Sequence, residues 1–234
     1  QPTVRTTTMR SHHPSNPSVL IWDAPTRLFH WMLVLLVALA WVTGEAEGSM
    51  FAVHKLAAYG VAVLLVFRVI WGFAGSRHSR FSDFVRPWRE VFAHIKGMLS
   101  LRPARTLGHN PLGGWMALVL LLVLAAQVGT GLFASDDGLG GPLAGTVASG
   151  TAHAVAELHE GLSGALLGLI GLHVMGVLVE SLLTRDNLVR AMITGRKAVT
   201  PDEAEAGQRA AVAPGWLAAL VLATASGIVW MVVA

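Results

Sequence analysis

Two histidines, His159 and His173, lie fourteen residues apart inside the apolar stretch from Gly150 to Leu183. An imidazole at bilayer depth is costly unless it has a partner. A helix turns about 100° per residue, so fourteen steps bring the second ring to within about 40° of the first, about 21 Å further along the axis. The two rings therefore face one way at two depths. The same interval recurs on two other apolar stretches, as His30 to Gly44 and as His54 to Arg68. If these stretches are antiparallel helices, His30 comes level with His173 and His54 comes level with His159. Each level then offers two imidazoles from different helices. That set makes a six-coordinate electron-transfer centre, because neutral imidazole ligates haem iron. Gly44 leaves room where the second cofactor passes the first helix. Zinc is the alternative metal, but it prefers four ligands at one centre, and here the ligands divide two and two.

Other polar groups fall near these levels. Arg68 shares the His54 face at the depth of the His30 level, where it reads as a partner for a haem propionate; snorkelling to the surface is the alternative. Arg27, one turn before His30, is placed to serve likewise. His153 is twenty residues from His173, about 200° around the helix, so it reads as interfacial. His78, His94 and His109 lie in a polar loop and are expected to be solvated, like His12 and His13 in the tail. Glu157, Glu160 and Glu180 border the last histidine-bearing stretch, as proton relays or as solvated carboxylates. Leu162, Leu166, Ile170 and Val177 share the histidine face. Gly161, Gly164, Gly168 and Gly171 lie opposite, where small residues favour close helix packing.

These residues must be positioned by membrane helices. Of 234 residues, 53% are hydrophobic and only 13% charged, against about 25% charged in soluble domains. The mean hydropathy is +0.58. The chain has no cysteine, which excludes iron–sulfur clusters, thiolate zinc sites, disulfides and covalently attached c-type haem. A pI near 9.9 raises nucleic acid as a partner, but the cations sit in loops beside membrane spans, so no nucleic-acid partner is expected.

Residues 1–21 read as a flexible tail and not as a signal peptide. Pro25 suits a helix start, and Trp22 and Trp31 fit an interfacial aromatic belt. Five spans are expected, over about 27–44, 50–73, 113–133, 150–183 and 216–233. A polar loop covers 74–112, and a linker covers 198–213. The domain reading is a bundle over 22–197 followed by the linker and a fifth helix over 214–234. Lys and Arg number three in residues 1–27, seven in 74–112 and five in 184–213, and the loops after the first and third spans have none. The positive-inside rule places the first group in the cytoplasm. The expected location is thus a bacterial inner membrane, amino terminus cytoplasmic and carboxyl terminus periplasmic. His30 and His173 fall on the cytoplasmic side; His54 and His159 fall on the periplasmic side.

Several motifs together resemble a known family. They are WDAPTRLFHW at 22–31, HKLAAYG at 54–60, FRVIWGFAGSRHSRFSDF at 67–84, GHNPLGGW at 108–115, and the run from His159 to Lys197 that contains LHVMGVLVES and NLVRAMITGRK. The chain is similar over about residues 19–197 to the bacterial cytochrome b561 family, which includes the membrane cytochrome b subunits of nickel–iron hydrogenases. The resemblance implies an all-α membrane protein, a four-helix bundle holding two b haems, with ligands on the first, second and fourth helices at His30, His54, His159 and His173. The fifth span lies outside that common core.

The expected function is electron transfer between the quinone pool, ubiquinone or menaquinone, and a periplasmic redox partner, either a c-type cytochrome or a hydrogenase. No nucleotide-binding signature offers another electron source. A superoxide oxidase reducing ubiquinone is the enzyme alternative, but the outer loops hold no Lys or Arg to attract an anion. A membrane anchor or transporter without haem is the third reading and leaves four in-span histidines unexplained. Glu45, Glu47, Asp136 and Asp137 would give the outer surface an acidic rim for a basic carrier.

Overall fold

The computed structural model describes residues 17–44, 48–136, 138–200, 204 and 211–234. The chain enters through a short strand, β1 (Ser18–Leu20), and continues into α1 (Ala24–Val42). Asp23 caps α1 by accepting the Thr26 N–H at 2.9 Å, and Pro25 occupies a first-turn position whose N–H would have no helical acceptor. The second span is α2 (Ser49–Ala74). The expected polar loop that follows contains two helices, α3 (Phe81–Phe84) and α4 (Trp88–Leu99). Next comes α5 (Pro111–Phe133), capped by Asn110 through the Gly113 N–H at 2.6 Å. A hairpin of β2 (Ser135–Asp136) and β3 (Leu139–Gly140) leads to α6 (Ser149–Thr184). The chain closes with α7 (Leu188–Thr194), β4 (Arg196–Ala198) and α8 (Gly215–Val233).

Five helices, α1, α2, α5, α6 and α8, are long and apolar enough to cross a membrane. This is an all-α membrane protein whose only strands, among the described residues, are two short pairs. Each expected span end lies within three residues of the observed one. At 36 residues, α6 is about 54 Å long, against a hydrocarbon core of about 30 Å. Its ends therefore project beyond the bilayer, and Arg185 stops it in a left-handed conformation at φ 56°.

The bundle packs in sequence order, α1 on α2, α2 on α5 and α5 on α6, while α1 and α6 barely meet. The two helices at the ends of this series thus leave a slot between them. The slot is bridged at mid-depth by an apolar cluster of Val61, Leu124 and Leu166, with Val37, Leu36, Leu65 and Ile170 against it. The fifth span, α8, packs on α2 through Val221 and Ala225, which meet Phe29, Phe67 and Trp71.

One end of the bundle carries a folded cap. β1 pairs antiparallel with β4, Val19 opposite Lys197, over a small core of Val19, Ile21, Trp22, Ala191 and Val199. Residues 18–21, expected within the flexible tail, are thus a strand and part of a core; the alternation of buried Val19 and Ile21 supports that strand. The rest of the tail, with His12 and His13, lies outside the described residues, as do 201–203 and 205–210 of the linker. Lys197, although charged, is buried and donates to the Thr106 carbonyl at 2.9 Å. Its Nζ lies 3.3 Å from Asp186. Burial opposes the charge on Asp186, but Arg105 and Lys197 hold its carboxyl below the ordinary carboxylate value.

The glycines of the bundle divide by what surrounds them. A Cβ on Gly114 would lie 2.2 Å from the Phe84 carbonyl oxygen, so α3 and α5 touch only because residue 114 has no side chain. Gly161, Gly164, Gly168 and Gly171, expected to mediate close packing, instead meet nothing within 4 Å of such a Cβ. They face away from this chain's own helices, because α6 leans on α5 through its other face. Gly114→Ala should therefore lower stability by about 1–3 kcal/mol through overpacking. Gly161→Ala should leave it unchanged or raise it by up to about 1 kcal/mol through helix propensity. Thermal unfolding midpoints in detergent would check both.

Candidate functional site

The level of His54 and His159 is built by four helices, α1, α2, α5 and α6. His54 on α2 donates from Nδ1 to the Ala40 carbonyl in the last turn of α1, at 2.8 Å. That leaves Nε2 as the nitrogen with a free lone pair. The Phe51 ring stacks on the imidazole at 5.8 Å, one turn earlier. His159 on α6 donates from Nδ1 to the Gln127 carbonyl of α5 at 3.0 Å, with the Thr130 hydroxyl 3.1 Å from the same nitrogen. The Gln127 side-chain amide donates to Nε2 at 3.1 Å, which marks that nitrogen as the acceptor. The two rings face each other edge to face, centres 6.4 Å apart and planes at 82°. Two metal–imidazole bonds of about 2 Å each would fit within that separation.

Close approach at this level depends on one glycine. A Cβ on Gly131 would lie 2.9 Å from Cε1 of His159. Gly44, by contrast, sits past the end of α1, and a Cβ there would lie 3.8 Å from Cε1 of His54, an ordinary contact. Sequence reasoning singled out Gly44 and overlooked Gln127, Thr130 and Gly131 as a group. The signal was available: these are a polar, a hydroxyl and a small residue on one face of a span that is otherwise apolar and has no histidine.

The level of His30 and His173 pairs the outermost helices of the series. His30 on α1 and His173 on α6 are near enough to interact electrostatically, across the slot where those helices scarcely touch. Nδ1 of His30 is buried with no hydrogen-bond partner, and so is Nε of Arg27 one turn before it. Nη1 of Arg27 donates to the Ile193 carbonyl at 2.7 Å, tying α1 to the end of α7. Buried polar groups are normally satisfied, so two orphans a turn apart on the slot-bearing helix mark a place for another group. Arg68 is buried 5% exposed, not snorkelled. Its Nη1 donates to the Ser79 carbonyl at 2.9 Å, and its guanidinium lies among the Phe29, Phe81 and Phe84 rings at 5.2–5.9 Å from their centres. These are cation–π contacts that pull the loop after α2 onto the bundle.

The polar loop's histidines are not solvated as expected. His78 donates to Asp83 at 2.9 Å, and its Nε2 is buried without a partner. His94 is buried and meets the buried carboxylate of Glu180, at the projecting end of α6, at 3.3 Å. His109 packs between Trp22, at 4.7 Å, and Phe84, at 4.8 Å. The reason is that the loop folds back onto the bundle: His94 lies on the inner face of α4, while His78 lies in the connection before α3 and His109 in the connection before α5. His153 is exposed and pairs with Asp136 at 3.1 Å, matching its interfacial reading. Asp137, Glu45 and Glu47 of the expected acidic rim lie outside the described residues.

Fold and site together define a helical membrane protein whose bundle brings imidazoles from different helices together at two depths. The match to known proteins then narrows this. The family model described as prokaryotic cytochrome b561 matches residues 21–195, and the chain belongs to that family. It is 26% identical over 213 residues to a probable Ni/Fe-hydrogenase B-type cytochrome subunit of Bradyrhizobium diazoefficiens, covering 77% of this chain and 86% of that one. It is 28% identical over 211 residues to a probable Ni/Fe-hydrogenase 1 B-type cytochrome subunit of Escherichia coli K12, covering 75% and 88%. A probable Ni/Fe-hydrogenase B-type cytochrome subunit of Cupriavidus necator is 33% identical over 143 residues, 50% and 59%. No solved structure matches the chain significantly. The protein is thus a membrane electron-transfer cytochrome, and its family's cofactor is haem b.

His109 gives this end of the molecule a pH signature. Burial first, then the nearby Arg68 and His173, push its imidazole down to about 3, against the pull of Asp83. An unfolded histidine takes up its proton near 6.5. Between pH 6.5 and about 3 the unfolded chain binds one proton more than the native chain at this residue, so stability falls as pH drops through that window. Above pH 6.5 both states are neutral and the contribution vanishes. His109→Leu should therefore flatten the decline of the unfolding midpoint between pH 6.5 and 4 and leave the slope above pH 7 unchanged, as read by thermal scans across pH.

Proposed function

We propose that this chain is a di-haem cytochrome b that carries electrons between the quinone pool and a nickel–iron hydrogenase on the periplasmic face. The observation that carries the reading is the outer pair. His54 and His159 come from different helices, each with Nδ1 donated to a backbone carbonyl, and their rings stand 6.4 Å apart. Such second-shell carbonyls fix the tautomer and put each ring's lone pair on Nε2, where on His159 a metal would replace the Gln127 amide. In this reading His30 and His173 hold the second haem across the slot between α1 and α6. The unpartnered Nε of Arg27 is then the first donor to a propionate, and Arg68, engaged by three rings and Ser79, supplies a buried positive charge beside it. When bound, haem supplies one-electron transfer through its iron.

The chain's own residues do the rest. Ala40 and Gln127 orient the outer imidazoles, and Gly131 admits the His159 ring. Val37, Val61 and Leu166 each lie midway in sequence between the two levels of their helix and keep water from the path between them. The hydrogenase partner is supported by the relatives, which are described as cytochrome subunits of nickel–iron hydrogenases. The cation count supports a cytoplasmic Arg27 end, with the His54–His159 pair and the carboxyl terminus on the periplasmic side. The chain has no nucleotide-binding motif, which leaves a quinone, a protein or a small diffusible reductant as the other carrier, and of these we propose the quinone.

Purified protein should contain two non-covalent haems b per chain by pyridine haemochrome assay. His54→Ala and His159→Ala should each halve the haem content and remove the same low-spin spectral component; His30→Ala and His173→Ala should remove the other. One haem per chain, or loss of a shared component from His30→Ala and His54→Ala, would overturn the arrangement. Gly131→Leu should disturb the outer component, while Gly129→Leu, which meets open space, should leave the spectrum unchanged.

A further inference from the structure

The sites above leave α4 unexplained. Its inner face is anchored: Val91 is buried, and His94 meets Glu180 of α6. Its outer face carries an apolar stripe. Trp88, Phe92, Ile95 and Leu99 follow the i, i+4, i+7, i+11 pattern and fall within about 60° of one another around the helix. Trp88 is 57% exposed, Phe92 67% and Leu99 82%, and Leu101 continues the stripe at 72%. Among the described residues no other helix covers Phe92 or Leu99.

Four exposed cations, Arg86, Arg89, Lys96 and Arg102, accompany the stripe, and none forms an ion pair among the described residues. Lys96 and Arg89 flank it, at about 80° and 100° from Trp88, and Glu90 points away at about 200°. The height of the helix is fixed by aromatic contacts. Trp88 stacks on Trp115 at 4.4 Å, and Trp115 lies in the opening turns of the span α5. The Trp115 indole donates to the Arg86 carbonyl at 2.9 Å. The start of α4 is thus held level with the start of a membrane span, where tryptophan is enriched.

We propose that α4 lies in the headgroup layer of the bilayer on the Lys/Arg-rich side, with its Trp88–Leu99 stripe at the acyl boundary and its cations against anionic lipid headgroups. A strong apolar face flanked by Lys and Arg is the pattern of a helix lying in the interface plane, and juxtamembrane cations draw anionic lipid. The Trp88–Trp115 stack joins the stripe to the opening turns of the span α5, which favours lipid over a soluble partner. The anchor at Glu180 ties this lipid-facing helix to the helix that carries His159 and His173.

The natural absence of cysteine makes the test direct. Single cysteines introduced as Phe92→Cys, Leu99→Cys and Glu90→Cys in the full-length holoprotein would be spin-labelled in nanodiscs of phosphatidylcholine and phosphatidylglycerol. The ratio of oxygen to water-soluble nickel accessibility should be several-fold higher at 92 and 99 than at 90. Equal ratios would overturn the proposal, as would nickel access at 92 and 99 that closes only when a partner protein is added. Arg89→Gln combined with Lys96→Gln should at least halve the phosphatidylglycerol that co-purifies per chain. Unchanged phosphatidylglycerol would remove the headgroup contacts.

Discussion

An imidazole inside a bilayer needs both of its nitrogens accounted for, and that requirement governs this molecule. At the outer level the accounting is visible. One nitrogen of each ring is spent on a backbone carbonyl, of Ala40 for His54 and of Gln127 for His159. These carbonyls belong to the helices next to those that carry the histidines, so each ring ties two helices together. The order of packing, α1 on α2 and α5 on α6, is the order these bonds require. An apolar bundle without such ties would have little to fix its rotation, since lipid competes equally well for apolar faces.

The same requirement explains the slot. α1 and α6 bear the inner histidines yet hardly touch, and buried donors on α1 lack acceptors. Helices that met directly would satisfy those groups with each other. The apolar cluster of Val61, Leu124 and Leu166 keeps the two sides at fixed separation without filling the levels above and below it. The cap reinforces this from one end: β1 and β4 join the two ends of the bundle sequence, and Arg27 and Arg68 draw α7 and α3 onto it.

Much of this was legible from the residues. Span number and position follow from apolar runs that fit bilayer thickness, and the depth matching of the histidines follows from helical periodicity alone. What escaped had other causes. The strand at Ser18–Leu20 is only three residues long and owes its existence to a partner 178 residues away. The burial of His94 depends on Glu180, 86 residues distant. Gln127, Thr130 and Gly131 carry no ligand atom of their own, so a search for metal-binding residue types passes over the span that orients one. The glycines of α6 show the converse error: small-residue spacing suggests close packing, but only a neighbouring helix can decide which face is packed.

The fourteen-residue interval also has an electrical meaning. It separates the two histidine levels by about 21 Å along the helix axis, roughly two-thirds of a hydrocarbon core about 30 Å thick. In the proposed di-haem arrangement, an electron handed from one level to the other would cross up to about two-thirds of the membrane voltage, about 1.5 kcal/mol for each 100 mV. In the proposed orientation, with the Lys/Arg-rich face on the negative side, passage from the His54–His159 level to the His30–His173 level would run against the field. A charged membrane would hold back electrons arriving from outside, and a discharged one would let them through, so the spacing of four side chains couples the speed of this relay to the energy state of the cell.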